Sequence, residues 1–439
     1  MNYHDSDSPF IDAHCHLFNI IDIPLYEAAM GEIQMGTVKQ VLLGLGVGAA
    51  NLRAALKKER NFLRFFEREI PDNILWLEQQ IRDALDDNDV SSDLKACGYD
   101  RKRIVVTPLV MDFDKNLLDT EIGGDVKSVK QFERLVEAIH TANSNIEIYP
   151  FAGLALNKLD SGDQALADFQ EWWNRNSLSA QQRLKGKTEK LMHPGKAIGI
   201  KLYPPLGFNP YPEPLQLRKQ YLKFFQWCVD EDIPITVHCQ ESSFTAAQDR
   251  DQQDRDQINK RTHPRNWERL LKDNPQLSSL RINFGHFGGS KQFKEMLGGA
   301  EGSGSSQAQE QNWTMAICRL LCQYPNTYAD ISAFGLEDDL TCNRLAMLFG
   351  VKDSLPEYLS GLDQQKICDK IIWGSDLPMV ISSPSFLGQG EKPSYLALLN
   401  RFRNGMRCQS GSDLVVRNAI DMFNRVTRTN PANFLFGSK

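Results

Sequence analysis

Long apolar runs, paired cysteines and basic clusters are all missing from this 439-residue sequence. No stretch approaches the roughly 18 consecutive apolar residues that a membrane-spanning helix needs. The opening residues, MNYHDSDSPF, lack the basic-then-apolar order of a secretory signal. The compartment expected is therefore the cytoplasm. Lys and Arg number 50 against 56 Asp and Glu, a net charge of −6, and the cations are spread along the chain. A nucleic acid or a membrane surface is thus not an expected partner. Nine cysteines occur without a single CxxC pair, and an odd, scattered set argues against a disulfide framework or a zinc ribbon. Cys318 and Cys322, one helical turn apart, read as small core residues. No internal repeat is visible.

What the sequence has is alternation. Short β-rich apolar runs fall at 10–16 (FIDAHCH), 104–110 (IVVTPLV), 147–153 (EIYPFAG), 198–203 (IGIKLY), 233–238 (IPITVH), 280–286 (LRINFGH), 327–332 (TYADIS) and 371–376 (IIWGSD). Between them lie amphipathic stretches such as 215–230, 265–273 and 312–323. Parallel strands need helix-sized crossovers, so this order predicts a parallel sheet. Eight units, with no GxGxxG turn after the first strand, favour a closed (β/α)8 TIM barrel over an open doubly wound sheet. The chain, 1–439, is read as one such domain, with 17–103 as a long, mostly helical insertion after the first strand. Within it, 39–45 (KQVLLGL) is an alternative strand. Residues 241–262 and the low-complexity run 298–310 (GGAEGSGSSQAQE) read as polar loops, on the face where barrel enzymes carry their sites.

The chemistry gathers at strand ends. In Asp12-Ala13-His14-Cys15-His16, alternation puts His14 and His16 on one face, about 7 Å apart along the backbone. His238 ends PITVH, His286 ends RINFGH, Asp376 ends IIWGSD and Lys201 lies in GIKLYPP. Only eight histidines exist, and four of them end candidate strands. A lone strand-end histidine is more often a satisfied core residue than a ligand. Four histidines and an aspartate at equivalent ends of parallel strands converge on one barrel mouth, where burial without a shared ligand would be costly.

These motifs, with FIDAHCH, PITVHCQ, INFGHFGG, IIWGSDLP, TYADIS and NPANFLFG in order, resemble the amidohydrolase superfamily. Within it they are most similar to the branch typified by aminocarboxymuconate semialdehyde decarboxylase and related metal-dependent enzymes. The resemblance runs nearly end to end, apart from 17–103 and the two polar loops. It implies that His14, His16, His238 and Asp376 are metal ligands. It implies that His286 acts as general base or acid on water or substrate, or as a ligand in two-metal relatives.

Imidazole and carboxylate donors suit one divalent ion, zinc first and manganese second. Such an ion lowers the pKa of its water from ~15.7 towards ~7 and polarises a carbonyl oxygen. Asp376 would both ligate and orient the water's proton. Lys201 and Tyr203 should point into the barrel. Lys201 has three readings: carboxylated and bridging a second metal, cationic and paired with a substrate carboxylate, or structural. Asp12 is expected on the inner face with His14, anchoring the site. Asp330 and Ser332 are candidate hydrogen-bond partners of the ligands, and His263 reads as a helix-start cap. The function expected is hydrolysis of a small carbonyl- or carboxylate-bearing molecule, with non-oxidative decarboxylation as the alternative on the same site and a non-catalytic homologue behind both. The third strand continues as AGLALNKLD, without the arginine that relatives often carry there, which weakens any transfer of a substrate. A homo-oligomer is expected by analogy alone.

Overall fold

The structure is a computed structural model describing residues 8–18, 68–99, 103–112, 128–241, 252–297, 311–334, 339–351, 355, 359–378, 394–407 and 413–437. Nine strand segments fall where the apolar runs predict them: β1 (Phe10–Cys15), β2 (Ile104–Pro108), β3 (Glu147–Ile148), β4 (Phe151–Gly153), β5 (Gly199–Leu202), β6 (Ile235–Gln240), β7 (Ile282–Gly288), β8 (Thr327–Asp330) and β9 (Ile371–Ile372). Every pairing between them is parallel. β1–β3 form one sheet and β4–β9 another.

Backbone hydrogen bonds cross both seams. β3 and β4 are one run interrupted at Pro150, which has no N–H to give a ladder, and β2 reaches across the break through the Leu109–Phe151 bridge and Val110 N–H to Phe151 O at 3.1 Å. At the other seam, Ala13 N–H meets Trp373 O at 3.0 Å, Asp376 N–H meets His14 O at 2.7 Å, and His16 N–H meets Leu377 O at 2.7 Å. The first strand is thereby joined to the last. This is the eight-stranded α/β barrel.

Side-chain alternation separates two cores. Ile11, Ala13, Val105, Tyr149, Phe151, Ile198, Tyr328 and Ile372 pack with Phe434 and Phe436 of the C-terminal helix Asn430–Phe436. Residues from so many strands can share one cluster only inside the barrel, and the C-terminal helix closes its lower end. Phe10, Val106, Ile200, Val237, Phe284 and Ile371 instead join the outer core against the helices. The described part of the insertion is helical, Ile70–Asp86 and Asn88–Ala96. It is tied to the helix Tyr395–Arg407 by Arg403 Nε donating to Asp93 at 2.5 Å. Residues 39–45 and 298–310 lie outside the described residues.

The loop expected at 241–262 is corrected over its second half, where Gln252–Thr262 is an α-helix. The stretch has no Gly or Pro to break a helix. Ile258 is the only buried hydrophobic residue in it, so no apolar stripe announces it. Among the described residues no helix is long and apolar enough to cross a membrane.

Candidate metal centre

Two bulges aim the histidines. The β1–β2 register slips between Asp12 and Cys15. Ile11 and Ala13 face the barrel interior, and strict alternation would turn His14 outward. The extra residue turns it in instead, so His14 and His16 face the mouth while Cys15 packs in the outer core. The same slip corrects the expectation for Asp12. Lying between two inward residues, it faces outward, towards Tyr395. It does anchor the site, because its Oδ1 accepts the backbone N–H of Ser375 at 3.0 Å and of His14 at 3.3 Å. Burial pushes its carboxyl up to about 6, with Ser375, His14 and Tyr395 pulling the other way.

The second bulge lies at the end of β7, opposite β6 between His238 and Gln240. Asn283 faces inward to Asp330, Phe284 packs outward, and His286 would follow it outward by parity. Positive φ at His286 (64°) and Phe287 (48°) re-aims the ring into the site. Such backbone is strained for a residue with a side chain, and Asp330 Oδ1 holds it by accepting the His286 N–H at 3.0 Å. Asp376 is also in the left-handed region, with φ 53°. Gly285 makes room beside it all: a Cβ there would stand 3.2 Å from His14 Cε1.

Hydrogen bonds fix the ring nitrogens. His16 Nδ1 donates to Leu109 O at 3.0 Å, because a carbonyl only accepts. His14 Nδ1 donates to Asp330 Oδ2 at 2.8 Å. Each ring therefore turns a lone pair on Nε2 towards Asp376 Oδ1, which lies 3.6 Å from His14 Nε2 and 3.4 Å from His16 Nε2. His14 Nε2 is buried and has no hydrogen-bond partner among the described residues. A buried lone pair without a donor is costly, and a cation removes the cost. Ligands about 2.1 Å from a tetrahedral ion stand roughly 3.4 Å from one another, close to the spacing of Asp376 Oδ1 from each of the two imidazoles. His14, His16 and Asp376 are one of two groups among the described residues able to hold a metal ion; the other is His14, His286 and Asp330. In the second, the Asp330 carboxylate is already committed to hydrogen bonds, so the first is the better cradle.

His238 belongs to neither group. Its Nδ1 meets His286 Nε2 at 3.1 Å, and its ring lies 4.5 Å from that of Tyr203. His286 Nδ1 is 3.1 Å from Ser332 O and 2.9 Å from Ser332 Oγ. Lys201 is 2% exposed, and among the described residues its ammonium makes no hydrogen bond or ion pair. Burial lowers its ammonium to about 8, with Asp330 and Asp376 opposing the fall. Tyr203 packs with Met111 and Leu206.

Electrostatics favour neutral imidazoles beside ionised carboxylates. Burial lowers His14 to about 4, with Asp330 opposing and Lys201 and His286 reinforcing. Burial and then His286 hold His238 well below the usual range. Burial would raise Asp376, but the His16 contact and the neighbouring histidines bring it below its ordinary value. Asp330 goes further down for the same kind of reason: burial is outweighed by His14 and His286. Its oxygens accept from five donors: His14 Nδ1, Asn283 Nδ2 at 2.7 Å, the backbone N–H groups of His286 and Ser332, and Ser332 Oγ. Asn283 escaped the sequence reading. Its one signal is a polar residue inside the apolar run INFGH.

The family model described as amidohydrolase matches residues 151–393, more than half of the chain. The chain belongs to the amidohydrolase family. It is therefore a member of a superfamily of metal-dependent hydrolases and lyases, and the described residues include a group able to hold the ion. Similar solved structures include 4-oxalomesaconate hydratase from Rhodopseudomonas palustris, at 13% identity over 97% of this chain and 95% of that one, with a TM-score of 0.43. A TatD homologue from Escherichia coli K12 matches at 12% identity over 78% and 95%, with a TM-score of 0.30. An amidohydrolase from Mycobacterium avium subsp. paratuberculosis matches at 15% identity over 79% and 75%, with a TM-score of 0.31. Comparison with curated proteins gives no match.

Proposed function

We propose that this member of the amidohydrolase family is a metal-dependent hydrolase of a small carbonyl- or carboxylate-bearing substrate. His14, His16 and Asp376 would hold one divalent ion, with His238 as the fourth donor, and zinc is the ion the mixed imidazole and carboxylate set suits best. When bound, such an ion acidifies water and polarises a carbonyl oxygen. The observation that carries this reading is the buried His14 Nε2, partnerless among the described residues, facing Asp376 Oδ1 beside His16 Nε2.

The chain's own residues divide the remaining work. Asp330 and the Leu109 carbonyl hold the tautomers of His14 and His16, so that their lone pairs meet the ion without rearrangement. His286 moves the proton, at Nε2, between water and substrate. Lys201, a buried ammonium still largely protonated near pH 7, pairs with a substrate carboxylate, which supplies the partner it otherwise lacks. Tyr203 and Met111 pack together and keep water from the reacting atoms.

The test is metal content of the purified protein together with the intact mass of Lys201 and an assay panel of aromatic and muconate-type acids. The reading expects one tightly held zinc, an unmodified lysine, and loss of the ion in His14→Ala and Asp376→Ala. Two ions with a carboxylated Lys201 would replace the one-metal version. Carbon dioxide release without hydrolysis would move the chain to the decarboxylases. A protein that holds no ion, or holds it equally well in both variants, would sink the metal centre.

A further inference from the structure

Ser332 sits at a junction that the reaction just described does not use. Its Oγ lies 3.0 Å from His14 Nδ1 and 2.9 Å from His286 Nδ1, and it also hydrogen-bonds Asp330 Oδ1. The residue is fully buried. A hydroxyl has one proton to give and two lone pairs with which to accept. Asp330 is an acceptor only, so the Ser332 proton goes there. Both lone pairs are then left facing imidazole Nδ1 atoms, one on β1 and one on β7. Neither imidazole can present a lone pair to that oxygen without repulsion, so both must carry N–H at Nδ1.

We propose that Ser332 is a positioning residue, and that its single hydroxyl fixes the tautomer and ring orientation of His286 while reinforcing the Nδ1–H tautomer that Asp330 holds on the metal-facing His14. The backbone agrees with the side chain, because Ser332 O, 3.1 Å from His286 Nδ1, also only accepts. The consequence runs on to a third ring. With Nδ1–H set, neutral His286 has its lone pair on Nε2 and takes a proton donor from His238 Nδ1 at 3.1 Å. His238 in turn keeps its lone pair on Nε2. One polarity thus runs from His238 through His286 and Ser332 to Asp330, and a second donor, His14, meets the same carboxylate from the other side. Neutral His286 therefore carries no proton at Nε2 and cannot start the reaction as an acid there. The inference rests on the metal-centre reading only for that last role.

The test is nitrogen NMR of protein labelled with 15N at histidine, recorded metal-free and zinc-loaded, with zinc affinity measured separately by chelator competition. In the unaltered chain, His14 and His286 are expected as Nδ1–H tautomers, with well-separated shifts for their two nitrogens. Ser332→Ala should bring the two His286 shifts towards each other, with His14 still held by Asp330, and weaken zinc binding about tenfold, the lower end for an outer partner of a ligand. Ser332→Thr, which keeps the hydroxyl, should restore both. Nε2–H on either ring in the unaltered chain, or unchanged shifts in Ser332→Ala, would overturn the proposal. Failure of the unaltered chain to bind zinc would instead refute the metal centre, leaving the tautomer readout to judge Ser332 by itself.

Discussion

Asp330→Asn is the substitution that most directly probes how the site is held. The two side chains have nearly the same shape, so the change tests acceptor capacity rather than packing. Asp330 is fully buried and accepts from five donors on both of its oxygens. An amide keeps one oxygen and turns an NH2 group on the donors of the other side. Either His14 Nδ1 and Asn283 lose their acceptor, or the His286 and Ser332 amides and the Ser332 hydroxyl do. At ~1.5–3 kcal/mol for each hydrogen bond to a charged group, two lost bonds put the destabilisation at about 3–6 kcal/mol. Metal affinity should fall by ~10- to 100-fold. Urea unfolding of the metal-free protein measures the first quantity, and chelator competition at low denaturant measures the second. A loss below about 1 kcal/mol with undiminished zinc affinity would refute the claim that this carboxylate organises the centre.

Three further outcomes follow from local geometry. In Gly374→Ala the new Cβ would stand 2.4 Å from His14 Cβ, so the strands at the seam must part; a cost of about 1–3 kcal/mol and weaker zinc binding are expected by thermal melting and metal titration, whereas Gly361→Ala, with open space around it, should change neither. Asp93→Asn takes from Arg403, itself buried, its buried carboxylate at the junction of insertion and barrel and leaves it only the exposed Asp89 at 3.3 Å. Chemical denaturation should register a loss of ~3–5 kcal/mol, and a change near zero would deny that this contact anchors the insertion. His263 is held near 4, against an ordinary 6.5, by burial with Arg265 reinforcing and the Gln311 carbonyl opposing. Between those values the unfolded chain binds a proton that the folded chain refuses, so stability falls as pH drops through the window. His263→Gln should flatten that slope relative to the unaltered chain in denaturation curves at pH 7.5 and pH 5; parallel slopes would contradict it.

The barrel was legible because every strand is a short apolar run, five of the eight closed by a polar residue, and that pattern survives without any tertiary information. The inward aim of Lys201 and Tyr203 was legible for the same reason, since Ile200 and Leu202 pack outward. Asp330 and Ser332 could be named as partners from TYADIS, but not their centrality, which depends on three donors from outside that strand's immediate turn, His14, Asn283 and His286, meeting one carboxylate. The failures share a cause. Asp12 was assigned to the wrong face because alternation assumes an unbroken ladder, and the bulge at Asp12–Cys15 is a register slip that no single strand's sequence displays. His286 reaches the mouth through a bulge and positive φ, not through its place at a strand end. The helix Gln252–Thr262 was hidden because it buries little of its surface, and periodicity registers only what packs. The contact between His238, the proposed fourth donor, and His286 is a side-chain choice that spacing alone does not carry.

The hydrogen bonds that carry β9 back to β1 also dictate a timetable. His14 and His16 are made early, Asp376 only after more than three hundred further residues, and the three meet solely where the two ends of the circuit join. An ion seated there would act as a clasp on the final closure, arriving after nearly all of the chain has been synthesised. Its binding energy would then be spent on contacts between residues far apart in the chain, the kind that form late in folding. Zinc should accordingly protect the amides of Ala13, His16 and Asp376 from hydrogen exchange more than those of the outer helices; uniform protection would mean that the circuit closes without it.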